Sequence, residues 1–252
     1  MMLSVAIYLS VQMLVVWLIA MYLKNPSVVD VAWAFGIMVS AGIYLFTGEI
    51  TTRNLLIFAL VLVWSIRLSG FILFTRISKG HIDQRYLNLS KNWKIKKSLG
   101  YLLNFQLQAF LSWVLAIAFL FPGTSTELTL STIDLIITAV IILSIAGEAV
   151  ADHQLQRYKA SQQGGVCNIG LWQYSRHPNY FFEWLIWCGF CAFALRSTYG
   201  CFALLSPLML YIILNYVTGP LTEKGSLKAR GDAYRDYMKK TPMFWPSLKG
   251  LK

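Results

Sequence analysis

Residues 170–184 read Gly-Leu-Trp-Gln-Tyr-Ser-Arg-His-Pro-Asn-Tyr-Phe-Phe-Glu-Trp. A polar, cationic turn (Tyr174 to His177) runs through Pro178 into an apolar segment that carries Asn179 and Glu183 in its first turns. Proline is tolerated in the first turn of a helix, where its missing N–H would have no partner. A polar turn followed by an unbroken apolar run predicts a membrane helix that starts at the bilayer surface. Ionisable groups at bilayer depth are costly and commonly face a polar cavity. A cationic turn beside a carboxamide and a carboxylate therefore predicts a site for a charged small molecule at a membrane surface.

The rest of the chain agrees with a membrane setting. Of 252 residues, 57% are hydrophobic and 13% charged, against about 25% charged in soluble domains. A transmembrane helix needs about 20 largely apolar residues. Seven segments qualify, at 2–22, 27–47, 54–75, 101–121, 131–151, 179–196 and 199–219. The expected fold is all-α: one polytopic membrane domain of seven transmembrane helices over residues 1–252. The first segment has no basic leader and meets Lys24 without a small-residue cleavage site, so it reads as a retained helix. Cys188 and Cys191 have the spacing of a metal or redox pair. They lie inside an apolar segment with no His nearby in sequence, and they read as buried thiols. No metal site or disulfide framework is expected. There is no Gly-x-Gly-x-x-Gly and no phosphate-binding Gly-Lys-Ser/Thr loop, which excludes the two common nucleotide folds.

The net charge of +11 is lopsided. Nineteen of the 22 Lys and Arg fall in the loops after helices 1, 3 and 5 and in the tail. The opposite side keeps only Arg53 and Arg196. The positive-inside rule then puts the N-terminus outside and the C-terminus in the cytosol. Anionic lipid headgroups account for the run Lys91, Lys94, Lys96 and Lys97, with no nucleic-acid partner needed.

With that orientation Asp30, Arg67, Glu148 and Glu183 all fall in the cytosolic half of the membrane. Arg67 lies roughly 12 Å deep at about 1.5 Å per residue. The expectation is one shared cavity open to the cytosol, in which Arg67 finds a carboxylate, as buried charges require. Glu148 and Asp152 are four residues apart, as are Asn179 and Glu183, so each pair shares a helix face. The intervening stretch 153–178 holds Arg157, Lys159, Gly164-Gly165, Gly170, Tyr174, Arg176 and His177. Cations, glycines and aromatic rings together suit a nucleotide bound in a non-standard way. His177 has no His or Cys at ligand spacing beside it, so it is a poor metal candidate.

These residues also carry a resemblance. Gly147-Glu148, Asp152-His153-Gln154, the run from Gly170 to Tyr180, and Glu183 resemble the C-terminal region of the steroid 5α-reductase family, in its bacterial DUF1295-type branch. Arg67, Arg76, Asp83 and Arg85-Tyr86 resemble that family's third helix and following loop, and Tyr234, Tyr237 and Pro246 resemble its ending. The resemblance implies a seven-helix oxidoreductase. It would bind NADPH from the cytosol and reduce a C=C bond conjugated to a carbonyl in a lipid-like or steroid-like substrate drawn from the bilayer. It implies Asn179 and Glu183 at the nicotinamide carboxamide, and Asp152, Lys159, Arg176 and Arg76 along the adenosine and phosphates. Arg67, Glu148, Tyr174 and His177 complete the implied cofactor set. The family's substrate-binding Glu and Tyr fall on Asp30 and Trp64. A neutral Asp30 in an apolar setting would donate a hydrogen bond to the developing enolate oxygen, with Trp64 adding an N–H or walling the pocket. Residues 1–100 would then serve the substrate and residues 101–252 the cofactor.

Two other readings stay open. The Arg-His-Pro-Asn-Tyr turn (176–180) also resembles membrane methyltransferases of the isoprenylcysteine carboxyl methyltransferase type, which bind S-adenosylmethionine. A non-catalytic lipid-binding protein with a degenerate pocket is the third.

Overall fold

The computed structural model describes residues 1–91, 93–124, 129–161 and 165–247. Among them all regular structure is helical. Six helical runs are long and apolar enough to cross a bilayer: Met2–Leu23, Val28–Leu45, Thr52–Ile77, Lys97–Gly123, Thr132–Ala160 and Gly200–Lys240. The protein is thus a multi-pass membrane protein. The helices are α1 (Met2–Leu23), α2 (Val28–Leu45), α3 (Thr52–Ile72), α4 (Gln84–Ser90), α5 (Lys97–Gly123), α6 (Thr132–Ala160), α7 (Pro178–Ala194), α8 (Leu205–Ile212) and α9 (Gly219–Lys240). α7, at 17 residues, falls short of the length of the other six.

Two boundaries depart from expectation. α6 continues nine residues past 151, into the stretch read as a loop. Its 29 residues rise about 43 Å, more than a hydrocarbon core of about 30 Å, so its polar last turns extend beyond the apolar layer. The tail after residue 219 is likewise helical, as α9. Gly164, Lys249 and Lys252 lie outside the described residues.

The chain forms two compact units. Unit 1 comprises Met1–Asp134 and Phe190–Ser206; unit 2 comprises Leu135–Gly189 and Pro207–Lys252.

In unit 1, α2 packs against α1, α3 and α5, and α1 against α5. Between apolar helices in lipid there is no hydrophobic drive to associate, so hydrogen bonds and close packing do the work. Ser65 Oγ donates to Ala34 O at 3.0 Å, and Ser69 Oγ to Val31 O at 3.3 Å, tying α3 to α2. Thr51 caps α3 by accepting from the Asn54 N–H. The two far-side cations of the sequence converge here. Arg53 Nε donates to Asp134 Oδ1 at 3.0 Å, and Arg196 Nη1 lies 2.8 Å from Asp134 Oδ2. Arg53 Nη2 also donates to Phe193 O at 2.8 Å. Asp134 doubles as a capping-box residue: its Oδ2 accepts from the Ser131 N–H, while its own N–H donates to Ser131 Oγ.

In unit 2, α6 and α7 approach closely because glycine stands at the contact. A methyl group at Gly147 would sit 2.5 Å from Phe182 Cε1, and one at Gly189 would collide with Ile141. Small residues at such crossings let helix backbones come together.

Candidate functional site

The α6–α7 contact in unit 2 positions four of the expected residues. Glu148 and Asp152 are buried on one face of α6. Pro178 opens α7, so Asn179 and Glu183 follow at one-turn spacing. Asn179 Nδ2 donates to Asp152 Oδ1 at 3.3 Å. Its other amide atom, Oδ1, is buried and accepts no hydrogen bond. One turn on, Glu183 Oε1 accepts from Trp187 Nε1 at 2.9 Å, which fixes that carboxylate within the helix. A buried polar atom without a partner costs about 1–3 kcal/mol, so the open acceptor on Asn179 marks a place where a donor is missing.

Arg176 does not stand in the role expected of it. Its Nε and Nη2 donate to Glu223 Oε1 and Oε2 at 2.6 and 3.1 Å, a bidentate pair. Its Nη1 donates to Met238 O and Thr241 O at 3.1 and 2.6 Å. The side chain is 9% exposed. A guanidinium so engaged has too little donor capacity left for a phosphate, and the phosphate-binding expectation for Arg176 is corrected to that of a clamp. His177 joins the clamp: its Nε2 is 3.3 Å from Glu223 Oε1, and its ring stacks on Tyr180 at 4.8 Å. Ser175 Oγ donates to Phe244 O at 2.9 Å, and Tyr237 Oη donates to Trp172 O at 2.5 Å. The cationic turn thus grips α9 and the segment after it. Tyr174 is half-buried and its carbonyl accepts from the Ser247 N–H. Lys159 is exposed near the end of α6. Glu223 was missed in the sequence; its signal there is that it is the only carboxylate between residues 219 and 231.

Unit 1 gathers a second polar cluster, around Asp30. Tyr86 Oη donates to Asp30 Oδ1 at 2.5 Å, and Arg85 Nη2 to Asp30 Oδ2 at 2.9 Å. Arg76 Nη1 is 3.8 Å from the same Oδ2. Asp83 receives Arg76 Nη1 at 2.6 Å and Arg85 Nη2 at 2.9 Å, and its Oδ1 accepts from the Arg85 N–H as the cap of α4. Gln108 Nε2 on α5 donates to the Tyr86 oxygen at 3.3 Å. The apolar setting expected for Asp30 is absent. Two hydrogen bonds, one from a cation, fall on its two oxygens, so both oxygens serve as acceptors within the cluster. Burial first, and then the neighbouring Asp30 charge, push the Tyr86 phenol well above its ordinary range. Burial also acts to raise the Asp83 carboxyl, but Arg85 and Arg76 outweigh it and hold the group below the usual value.

Trp64 is fully buried, its ring edge-on to Trp33 at 5.9 Å. Arg67 is half-buried, with its guanidinium over the Phe71 ring at 5.8 Å. The structure thus assembles Asp30 with Arg76 in unit 1, and Asp152 with Asn179 and Arg176 with His177 in unit 2.

The profile of the family described as "Protein of unknown function (DUF1295)" matches residues 16–241. The chain belongs to this family. The match takes in the Asp30 cluster, the Asn179 contact and the Glu223 clamp, so all three lie within the DUF1295 portion. No curated protein and no solved structure matches the chain.

Proposed function

We propose that this DUF1295 protein is a membrane oxidoreductase that takes reducing equivalents from NADPH. In this reading it reduces a C=C bond conjugated to a carbonyl in a hydrophobic, lipid-like or steroid-like molecule reaching it from the bilayer. The observation that carries the reading is the half-satisfied amide of Asn179. A primary carboxamide such as that of nicotinamide offers two N–H donors and one carbonyl acceptor. Asn179 Oδ1 is a buried acceptor with no donor, and the Glu183 carboxylate stands one turn away on the same face. These residues fit the group, and the resemblance to the steroid 5α-reductases points the same way. NADPH, when bound, supplies the hydride.

In unit 2 the chain's own part is to hold the carboxamide. In unit 1 the Tyr86 phenol donates to Asp30 and accepts from Gln108, which closes that network. Of the two unit 2 cations expected along the phosphates, Arg176 is occupied by Glu223.

The charge asymmetry supports a cytosolic C-terminus and α7 as a seventh crossing. Its 17 residues rise about 26 Å, close to a bilayer core. The membrane is a bacterial inner membrane or an endoplasmic reticulum in this reading. Calorimetry on detergent-purified protein with NADPH, NADH and S-adenosylmethionine tests the proposal. NADPH should bind and S-adenosylmethionine should not; binding of S-adenosylmethionine alone would make the protein a methyltransferase, and binding of neither would leave the lipid-binding reading.

A further inference from the structure

In unit 2 the chain turns back after α9. The Trp245 ring lies 5.2 Å from the Trp184 ring, 5.9 Å from Phe181 and 6.2 Å from Tyr211. Trp184 Nε1 donates to Pro207 O at 3.0 Å, which fixes α7 against α8 at the same level. Trp184 lies about 9 Å along α7 from Pro178, at about 1.5 Å per residue. Tyr211 lies about 12 Å before Gly219, where polar α9 begins. Both positions fall within a hydrocarbon layer of about 30 Å. The tail, having left through α9, therefore comes back to the level of the second turn of α7. There Phe244 points inward, 3% exposed, while Trp245 is 51% exposed beside the exposed Leu208 and Ile212 of α8.

Irregular backbone at membrane depth is tolerated only where its polar groups find partners inside the protein. The polar turn before α7 supplies them. Arg176 Nη1 donates to Thr241 O at 2.6 Å, and the Arg176 N–H to Pro242 O at 2.9 Å. Ser175 Oγ lies 3.1 Å from Met243 O and 2.9 Å from Phe244 O, a hydroxyl shared between two acceptors. Four consecutive carbonyls are thus served. Pro242 and Pro246 have no N–H to satisfy. The Ser247 N–H donates to Tyr174 O at 2.9 Å. Tryptophan is the residue type enriched where a bilayer meets water, because its ring is apolar and its N–H is not.

We infer that residues 241–247 form a re-entrant segment whose Trp245 ring is seated among the phospholipids of the leaflet at which α7 begins. The partner is lipid, and the surface continues the lipid-facing side of α8. The turn at residues 174–176 then has a second task besides the Glu223 clamp: it takes the place of water for backbone that dips below the headgroups. The inference takes α7 as membrane-inserted, as proposed above, and is independent of any cofactor.

Fluorine magnetic resonance on the full chain tests it, with the nine tryptophans replaced by fluorotryptophan and the protein in phospholipid nanodiscs holding one chain each. The resonance missing from Trp245→Phe reports Trp245, and the one missing from Trp184→Phe reports Trp184 on α7. Trp245→Tyr gives the same assignment should the first variant misfold. A nitroxide on the lipid acyl chains should broaden the Trp245 resonance strongly, and a water-soluble gadolinium chelate should broaden it much less. The reverse order for Trp245, with Trp184 still broadened by the nitroxide, would overturn the re-entrant segment while sparing α7 as a membrane helix. A Trp245 resonance that neither agent broadens would mean that protein covers the ring, and would also overturn it. If the nitroxide broadened neither tryptophan, α7 itself would lie outside the bilayer and both readings would fall.

Discussion

Around Asp30 in unit 1, all four carboxylate oxygens of Asp30 and Asp83 receive an arginine, a phenol or a backbone N–H, and two arginines balance two carboxylates. At the α6–α7 contact of unit 2 the polar groups are just as buried, yet Asn179 Oδ1 has no donor. Polar groups buried in both places must be satisfied or they cost stability. The first cluster meets that demand from within the protein and ties α4 to α2. The second leaves the demand of Asn179 Oδ1 unmet, and that is where a ligand adds something the fold does not supply. The clamp of Arg176 on Glu223 is the closed kind again, although its sequence context suggested the open kind.

The contrast can be broken most forcefully at the clamp. Glu223→Ala leaves a buried guanidinium without its carboxylate, and losing one partner of such a pair costs about 3–5 kcal/mol. The melting temperature in detergent should fall by on the order of 10 °C. A change of only a degree or two would mean that Arg176 is not a closed structural pair and is available to a ligand after all.

A smaller effect is expected at the Asp30 cluster. Tyr86→Phe removes one charge-assisted hydrogen bond, worth about 1.5–3 kcal/mol, and should lower thermal stability accordingly while leaving NADPH affinity unchanged. Loss of NADPH affinity in this variant would show that the cluster belongs to the cofactor site rather than standing as a self-sufficient network.

Acid should loosen the same cluster. The Asp83 carboxyl is held below its ordinary value in the folded protein, so the folded state binds that proton more weakly than the unfolded chain does. Its stabilising contribution is fully present above the unfolded value of about 3.9. It is lost as pH falls through the lower, folded value. Melting curves recorded from about pH 5 down to pH 3 should show a steeper loss for the wild type than for Asp83→Asn. Parallel curves would remove Asp83 from the account.

Much of the fold was legible because apolar runs of membrane length leave few alternatives. The far end of α6 was not, since residues 152–160 are polar enough to read as a loop, and only the helix itself carries them out of the apolar layer. The carboxamide and carboxylate of α7 were legible because helical spacing alone fixes their common face. The partners of Arg176 and Asp30 were not. Glu223 lies 47 residues after Arg176, and Arg85 lies 55 after Asp30; no local pattern reports that such groups meet. A charge beside an apolar segment therefore identified where polar chemistry collects, while distant partners decided whether that chemistry was closed or open.

The open acceptor of Asn179 is the most direct point of attack. The measurement is the NADPH dissociation constant of Asn179→Ala against the wild type, with the cofactor-free melting temperatures of both. The account predicts affinity weakened about tenfold or more, equivalent to about 1.4 kcal/mol, with a cofactor-free stability within about 1 kcal/mol of the wild type. Equal affinity in the two proteins would contradict it.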